Sequence, residues 1–191
     1  MKDFPELKIV LEHATTKEAV QYVRNDASGR LAATITAHHL LLSQEDEVEE
    51  SLRPYVYCLP VVKTADDRNE LRQVATSGDS RFFLGTDSAP HPVSKKEQKT
   101  GYPGGIFTAP AALELYAQVF DEMGKLENFE AFASLNGPRF YGLQPNEETV
   151  TLTKEPWTID ALVAVSGGEY IRPFGYHEDR EKRLTINWKI H

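Results

Sequence analysis

The 191-residue sequence contains a single cysteine, Cys58, and no long apolar run. One cysteine excludes an internal disulfide framework and fits a reducing compartment, so we predict a cytoplasmic protein in which Cys58 is a buried apolar side chain. A transmembrane helix needs about 20 apolar residues, and no stretch approaches that length, so no membrane partner is expected. The first ten residues lack the apolar core of a secretory signal, and we expect Met1 to be an internal start.

Positive charge is also scarce. The chain has 21 Lys and Arg against 29 Asp and Glu, which gives a formal net charge of -8. Lys95, Lys96 and Lys99 form the only small basic cluster. Because binding to nucleic acid or to an acidic membrane requires clustered Lys and Arg, neither is an expected partner. With 40% hydrophobic and 26% charged residues, the composition is typical of a globular domain.

Several catalytic motifs are missing as well. The sequence has no G-x-x-x-x-G-K-[ST], G-x-S-x-G, H-E-x-x-H or C-x-x-C pattern. These absences argue against a phosphate-binding loop, a nucleophile elbow and a local structural zinc site. Any catalytic site must therefore be assembled from residues that lie far apart in the sequence.

Three apolar runs alternate with helix-like segments, which predicts an α/β fold with parallel strands. The runs are 7–12, 31–36 and 82–87. The expected helices are 15–25, which opens on a capping box at Thr15, a helix capped by Ser43, 64–77, 109–123 and 129–135. A complete (β/α)₈ barrel takes about 200 to 250 residues, so three such units predict the last part of one. We assign residues 1–148 to this partial barrel and 149–191 to a small β-rich extension packed on it.

Catalytic groups in a parallel barrel lie at the carboxyl ends of its strands. His13 ends the first apolar run and Asp87 ends the third, with His91 four residues further on. Imidazole nitrogen and carboxylate oxygen are both suitable zinc ligands, although two ligands cannot hold a catalytic zinc. A lone strand-end histidine is more often structural. Asp87 is harder to dismiss, because a carboxylate after Phe-Phe-Leu-Gly-Thr is costly to bury without a partner or a metal.

The remaining histidines have simpler interpretations. His38 and His39 are adjacent, and neighbouring side chains on an extended segment point to opposite faces, so we interpret the pair as a helix cap or a packing feature. His177 and His191 lie in the polar tail, where solvated side chains are expected. The pair Gly104–Gly105, taken alone, indicates only a flexible part of the long loop after Asp87.

Three segments resemble the C-terminal half of the shorter, single-function dihydroorotases, which belong to the amidohydrolase superfamily. They are Gly-Thr-Asp-Ser-Ala-Pro-His at 85–91, Gly-Gly-Ile-Phe-Thr-Ala-Pro-Ala-Ala-Leu at 104–113 and Asn-Gly-Pro-Arg-Phe-Tyr-Gly at 136–142. Glu-His-Ala-Thr-Thr-Lys at 12–17 and Arg-Leu-Ala-Ala-Thr-Ile-Thr at 30–36 are similar to the family's sixth and seventh strand regions. The resemblance covers about residues 4–145.

The resemblance implies a (β/α)₈ barrel with two Zn²⁺ ions bridged by a carboxylated lysine. His13 resembles a ligand of one zinc, and Asp87 resembles a ligand of the other that also shuttles the proton. His91 resembles the histidine that contacts the substrate carboxylate. Leu59, Ala89 and Gly104 resemble further substrate contacts, made largely through the backbone.

The reaction implied is the reversible hydrolysis of dihydroorotate to N-carbamoyl-L-aspartate in pyrimidine synthesis. The family's other metal ligands have no counterpart in this sequence, so we expect a fragment that is inactive alone, needs the missing N-terminal half of the barrel, and forms a homodimer when complete. One alternative is a catalytically dead half-barrel that acts as an interaction or regulatory module; retention of Asp87 and His91 argues against it. Another is a hydantoinase-like or deaminase-like amidohydrolase, which the Ser-Ala-Pro-His continuation disfavours.

Overall fold

A computed structural model of the chain describes residues 3–191. Its centre is a parallel sheet in the order β1–β2–β3, formed by Ile9–Leu11, Leu31–Ile35 and Phe82–Leu84. Residue 10 pairs with 32, and residue 34 pairs with 83. The middle strand is buried along most of its length, as a strand covered on both faces should be. The predicted parallel arrangement is confirmed, although the outer strands are shorter than the apolar runs.

Helices follow each strand. Within the described residues they are α1 (Lys17–Arg24), α2 (Ala37–Leu41), α3 (Arg53–Val56), α4 (Ala65–Thr76), α5 (Val93–Lys96), α6 (Ala112–Glu122) and α7 (Asn136–Tyr141), with a wider helical turn over Ala131–Leu135. The capping residue of α1 is Thr16, whose Oγ1 accepts a hydrogen bond from the amide of Ala19 at 3.1 Å. At α4, Thr64 and Asp67 form a reciprocal capping box. The predicted helices at 15–25 and 64–77 are confirmed, with the first cap shifted by one residue.

The prediction of a helix capped by Ser43 is wrong. Helix α2 begins directly after β2, and Thr36 is its N-cap. Ser43 lies beyond the helix, where its amide and hydroxyl both donate to the carboxylate of Asp46. Strand β2 thus continues into a helix with no intervening loop, and His38 and His39 lie on that helix rather than on an extended segment.

The core lies between the sheet and helix α6. Tyr116, Phe120 and Phe132 are fully buried, and their rings lie 5.3 to 5.6 Å apart in tilted contacts. The hydroxyl of Tyr116 donates to the carbonyl oxygen of Ile35 at 2.7 Å, at the carboxyl end of β2. A buried tyrosine hydroxyl normally finds such a partner, and here it links the core helix to the end of the central strand.

The tail contains two short antiparallel ribbons, as the sequence predicted. Strand β4 (Leu152–Thr153) pairs with β7 (Lys189–Ile190), and β5 (Val163–Val165) pairs with β6 (Glu169–Ile171). An isolated bridge joins Ile171 to Pro92, which places the second ribbon beside α5. The division at residue 148 stays a prediction. In the described part of the chain, no helix has the length and apolarity to cross a membrane.

The Tyr116 hydroxyl gives a stability prediction. Tyr116→Phe removes the hydrogen bond to Ile35 and leaves a buried carbonyl with a weaker partner, so we expect the free energy of unfolding in urea to fall by about 1 to 2 kcal/mol. Tyr22→Phe is the matched control, because Tyr22 is 67% exposed, and it should change stability by less than about 0.5 kcal/mol. Equal losses in the two variants would contradict the role given to Tyr116.

Candidate active site at the carboxyl ends of the parallel strands

His13 follows β1 and is held by the neighbouring strand. Its amide donates to the hydroxyl oxygen of Thr34 at 2.8 Å, and the amide of Ala14 donates to the Thr34 carbonyl at 2.9 Å. The backbone of His13 has a φ of 43°. Its ring Nδ1 is buried and has no hydrogen-bond partner among residues 3–191. An imidazole fixed by its backbone and left with an unpaired nitrogen is suited to bind a cation.

Asp87 follows β3 and has the same unusual backbone, with a φ of 41°. Among residues 3–191, His13 and Asp87 are the two residues other than glycine with positive φ. This conformation costs about 1 kcal/mol or more and is concentrated at functional sites. The Asp87 side chain is exposed in this chain, so the expectation that it is a buried carboxylate is wrong here. Its position at the strand end, and not its burial, identifies it as a candidate.

Thr34 fixes the distance between the two strand ends. A Cβ atom at position 85 would lie 2.6 Å from the Cβ of Thr34, so only glycine fits there. His13 approaches the same threonine from the other side. Adjacent strands are about 4.8 Å apart, which puts the ends of β1 and β3 about 10 Å apart. Two zinc ions about 4 Å apart, each about 2 Å from its ligand, span a similar distance.

The four predicted substrate contacts lie together, Leu59 in the loop after α3 and the other three in the loops after β3. The Nε2 atom of His91 donates to the carbonyl oxygen of Gly104 at 3.1 Å. A Cβ atom at position 104 would lie 3.1 Å from the Leu59 side chain, and one at Gly105 would lie 2.5 Å from the carbonyl oxygen of Ala89. The two glycines are therefore closely packed, and the interpretation of this pair as merely flexible is wrong. Leu59 is 61% exposed and open to a ligand.

His38, His39 and Cys58 form a second cluster, in which one potential donor atom from each lies within 4.8 Å of the others. The His39 ring already has two partners: Nε2 lies 2.9 Å from the carbonyl oxygen of Pro60, which can only accept, and Nδ1 lies 2.7 Å from the hydroxyl of Thr36. The same carbonyl accepts from the Cys58 thiol at 3.3 Å. His39 thus has no nitrogen free for a metal, whereas both ring nitrogens of His38 are buried without a hydrogen-bond partner among residues 3–191.

Burial keeps this cluster neutral. It lowers the pKa of His38 to about 3 and that of His39 to about 4. Burial also raises the pKa of the Cys58 thiol to about 11. A neutral imidazole and an un-ionised thiol explain how three polar groups share the interior without a counter-charge. The predictions that the histidines pack at a helix start and that Cys58 is buried are confirmed.

The tail histidines differ from each other. His191 is exposed, as predicted. His177 is only 9% exposed, and its Nε2 lies 3.4 Å from a carboxylate oxygen of Glu49, so the prediction of a solvated side chain is wrong for this residue. Two further residues near the site, Thr34 and Lys96, carry no signal in the sequence, because Thr34 resembles any residue of a buried strand and Lys96 lies within a group of ordinary surface lysines.

Comparison with known proteins finds dihydroorotases that match most of this chain. A dihydroorotase of Hahella chejuensis is 52% identical over 186 residues, which cover 97% of this chain and 51% of the relative. A dihydroorotase of Vibrio cholerae is 53% identical over 179 residues, covering 90% of this chain and 52% of the relative. No family model matches the chain.

A solved structure agrees with these relatives. The crystal structure of a dihydroorotase from Saccharomyces cerevisiae in complex with 5-fluoroorotic acid superposes with a TM-score of 0.86 and 33% sequence identity. It covers 100% of this chain and 53% of that protein. The chain thus has the fold of part of a TIM-barrel enzyme, and it spans about half the length of the relatives that it matches.

The lowered pKa values of the two buried histidines predict acid sensitivity. In the folded chain both stay neutral, whereas in the unfolded chain they bind protons below their ordinary pKa of 6.5. Stability is therefore full above pH 6.5 and falls as the pH drops from 6.5 toward 4, by up to about 1.4 kcal/mol per pH unit for each histidine. Urea unfolding measured at several pH values tests this.

The variant His38→Gln isolates one of these groups. Glutamine cannot bind a proton, so the slope of stability against pH between 6 and 4.5 should decrease by about 1.4 kcal/mol per pH unit. Any packing defect would lower stability equally at every pH and leave the slope unchanged. A variant with the slope of the wild type would show that His38 is not buried in its neutral form.

Proposed function

This chain is a homologue of the dihydroorotases over about half of their length, and we propose that it supplies one part of a zinc-dependent cyclic amidohydrolase. The proposed reaction is the reversible hydrolysis of dihydroorotate to N-carbamoyl-L-aspartate in pyrimidine synthesis, within the cytoplasm. The observation that carries the proposal is the backbone conformation that His13 and Asp87 have in common, with a positive φ at each. These two residues combine a strand-end position with a strained φ, and they are the two candidates that the sequence provides as metal ligands.

The residues present fit part of a zinc site. His13 offers a buried nitrogen without a partner, and Asp87 offers an exposed carboxylate about two strand spacings away. Nitrogen and oxygen donors of this kind are ordinary zinc ligands. When bound, zinc polarises a carbonyl oxygen and lowers the pKa of water near neutrality. We propose that each residue contributes to a different ion of a pair, which is what their separation favours.

Asp87 is the proposed proton carrier. A carboxylate can hold a metal through one oxygen and carry a proton on the other. In the hydrolytic direction, Asp87 would accept a proton from the attacking water and deliver it to the ring nitrogen that leaves. In the cyclising direction it would take the proton from the same nitrogen as that nitrogen bonds to the carboxyl carbon, and give it to the hydroxide that leaves as water. Because Asp87 is exposed, a substrate could reach it.

The substrate would lie over the loops beyond β3. His91, already oriented by its bond to Gly104, is the proposed partner of the substrate carboxylate. The side chain of Leu59 and backbone groups of Ala89 and Gly104 would line the ring. In this proposal the amide that is cleaved would face Asp87.

Another polypeptide segment has to complete the site. In residues 3–191 the strand ends provide two metal ligands, whereas a zinc ion needs three or four ligands. The sheet also ends at β1, where Ile9 and Leu11 are 37% and 36% exposed. An unpaired edge of this kind is a place where another strand can add. We propose that the remaining half of a barrel binds there and that the completed protein forms a homodimer.

Reconstitution tests this proposal. The chain alone should bind fewer than two zinc ions and should not hydrolyse dihydroorotate. Mixed or co-expressed with the part of the Hahella chejuensis relative that it does not match, it should acquire both zinc and activity. Two zinc ions and full turnover in the isolated chain, or an assembled protein without activity, would overturn the proposal.

A pair of isosteric variants assigns the proton carrier. In the assembled protein, Asp87→Asn should lower kcat by about 100-fold or more, because an amide cannot carry the proton. Asp66→Asn is the matched control: Asp66 is an exposed acid in the first turn of α4, and its loss should leave kcat within about twofold. Zinc content measured on the same samples separates loss of metal from loss of proton transfer.

A further inference from the structure

We propose that Lys96 is a positioning residue whose buried ammonium group fixes the spacing between the loop that carries Leu59 and the loop that carries Gly104. The catalytic consequence rests on the function proposed above, whereas the structural consequence can be measured without it. None of the roles derived so far uses this side chain.

The geometry around Lys96 is specific. It is the last residue of α5, and it is 2% exposed. Its Nζ atom donates to the carbonyl oxygens of Pro54 at 2.6 Å, Tyr57 at 3.4 Å and Pro103 at 3.0 Å. A lysine ammonium has three N–H donors and no acceptor, so three carbonyl oxygens match its capacity. Two of the oxygens belong to α3 and the residue that follows it, and the third belongs to the loop that carries Gly104, so the single ammonium joins these two segments.

Burying the charge of Lys96 costs free energy, which a lysine without a specific role would avoid by staying in solvent. Within the described residues, no carboxylate lies within 4.0 Å of Nζ, and burial lowers the pKa of Lys96 to about 8. An exposed lysine, such as its neighbour Lys95, keeps its hydration. The ammonium group of Lys96 is instead hydrogen-bonded to backbone carbonyl oxygens in place of water. Methionine could fill the same space without a charge, so packing alone does not account for a lysine here.

Other contacts hold the same two loops together beside the ammonium. The amide of Gly105 donates to the carbonyl oxygen of Tyr57 at 2.9 Å, so this oxygen serves both Gly105 and Lys96. The rings of Tyr57 and Tyr102 meet edge to face at 5.5 Å. Next to Lys96, Glu97 accepts a hydrogen bond from the hydroxyl of Tyr55 at 2.7 Å. Together with the ammonium, these contacts form a junction between residues 54–57 and 102–105.

The junction is directly connected to the proposed substrate contacts. Leu59 lies two residues after Tyr57, and Gly104 follows Pro103. The carbonyl oxygen of Gly104 in turn accepts from His91. A change in the distance between the two loops would therefore move the Leu59 side chain relative to the His91 ring.

The effect of removing the Lys96 ammonium should be confined to the loops that it joins. Tyr57 and Pro103, like Lys96 itself, lie outside the hydrophobic cluster that packs between the sheet and α6. A purely structural lysine would support that cluster, and its loss would weaken the whole fold. A positioning lysine would loosen the loops and leave the sheet intact. These alternatives predict different patterns of amide exchange.

The test uses Lys96→Met, with Lys95→Met as the matched control. In the 191-residue chain, hydrogen exchange of the Gly105 amide should become at least tenfold faster in Lys96→Met. Exchange of the Ala14 amide, which is bonded to Thr34 in the sheet, should change less than twofold. Lys95→Met should leave both rates as in the wild type. Lys96→Gln, which keeps a polar side chain, provides a second variant if methionine disturbs folding.

In the assembled protein, Lys96→Met should raise the KM for dihydroorotate at least tenfold and change kcat by less than about threefold. Unchanged exchange at Gly105, or an increase that Ala14 shares in both variants, would overturn the proposal, since Lys96 would then be dispensable or a support of the whole fold. A KM that stays at the wild-type value would overturn it as well. An assembled wild type without activity would instead refute the proposed function, and the exchange rates would still decide the role of Lys96.

Discussion

The close packing of three strand ends around Thr34 is the constraint on which the candidate site depends. Its hydroxyl oxygen accepts the amide of His13, and its Cβ leaves room only for a glycine at position 85. The two strands beside it then end in the same strained conformation, at His13 and Asp87. Neither conformation is favourable by itself. Both are held because the parallel sheet below them and helix α6 behind it are closely packed and do not yield.

The interior near this site contains buried polar groups of two kinds: neutral side chains, and one ammonium group whose charge is stabilised by carbonyl oxygens. His38 and His39 are buried as neutral rings, and one backbone carbonyl, at Pro60, accepts from both His39 and Cys58. Lys96 is surrounded by three carbonyl oxygens that match its three donors. Backbone carbonyls of α3 and of the adjoining loops supply partners for His39, Cys58 and Lys96, whereas the ring nitrogens of His38 have none among residues 3–191. These loops are therefore ordered by polar contacts, whereas the sheet is ordered by apolar packing.

Much of the fold could be predicted from the sequence because its signals are local. Apolar runs predicted the three parallel strands, and a capping box predicted one residue before the observed cap marked the start of the helix at 17–24. The same local reasoning placed His13 and Asp87 at strand ends. It failed at Ser43, since nothing in Leu-Ala-Ala-Thr-Ile-Thr signals that Thr36 already caps a helix.

Features set by contacts distant in sequence could not be predicted. Lys96 has the same immediate neighbours as an exposed lysine, and its partners at Pro54 and Tyr57 lie about 40 residues away. The exposure of Asp87 and the burial of His177 likewise depend on which elements cover them, and a single sequence does not encode that in any local pattern.

The strand ends of this chain are proposed to hold one ligand of each of two zinc ions. Anomalous diffraction at the zinc absorption edge, from crystals of the assembled protein, would locate both ions. We expect two anomalous peaks about 4 Å apart, one about 2 Å from a ring nitrogen of His13 and the other about 2 Å from a carboxylate oxygen of Asp87. Peaks that lie elsewhere, for example at Cys58 and His38, would contradict it.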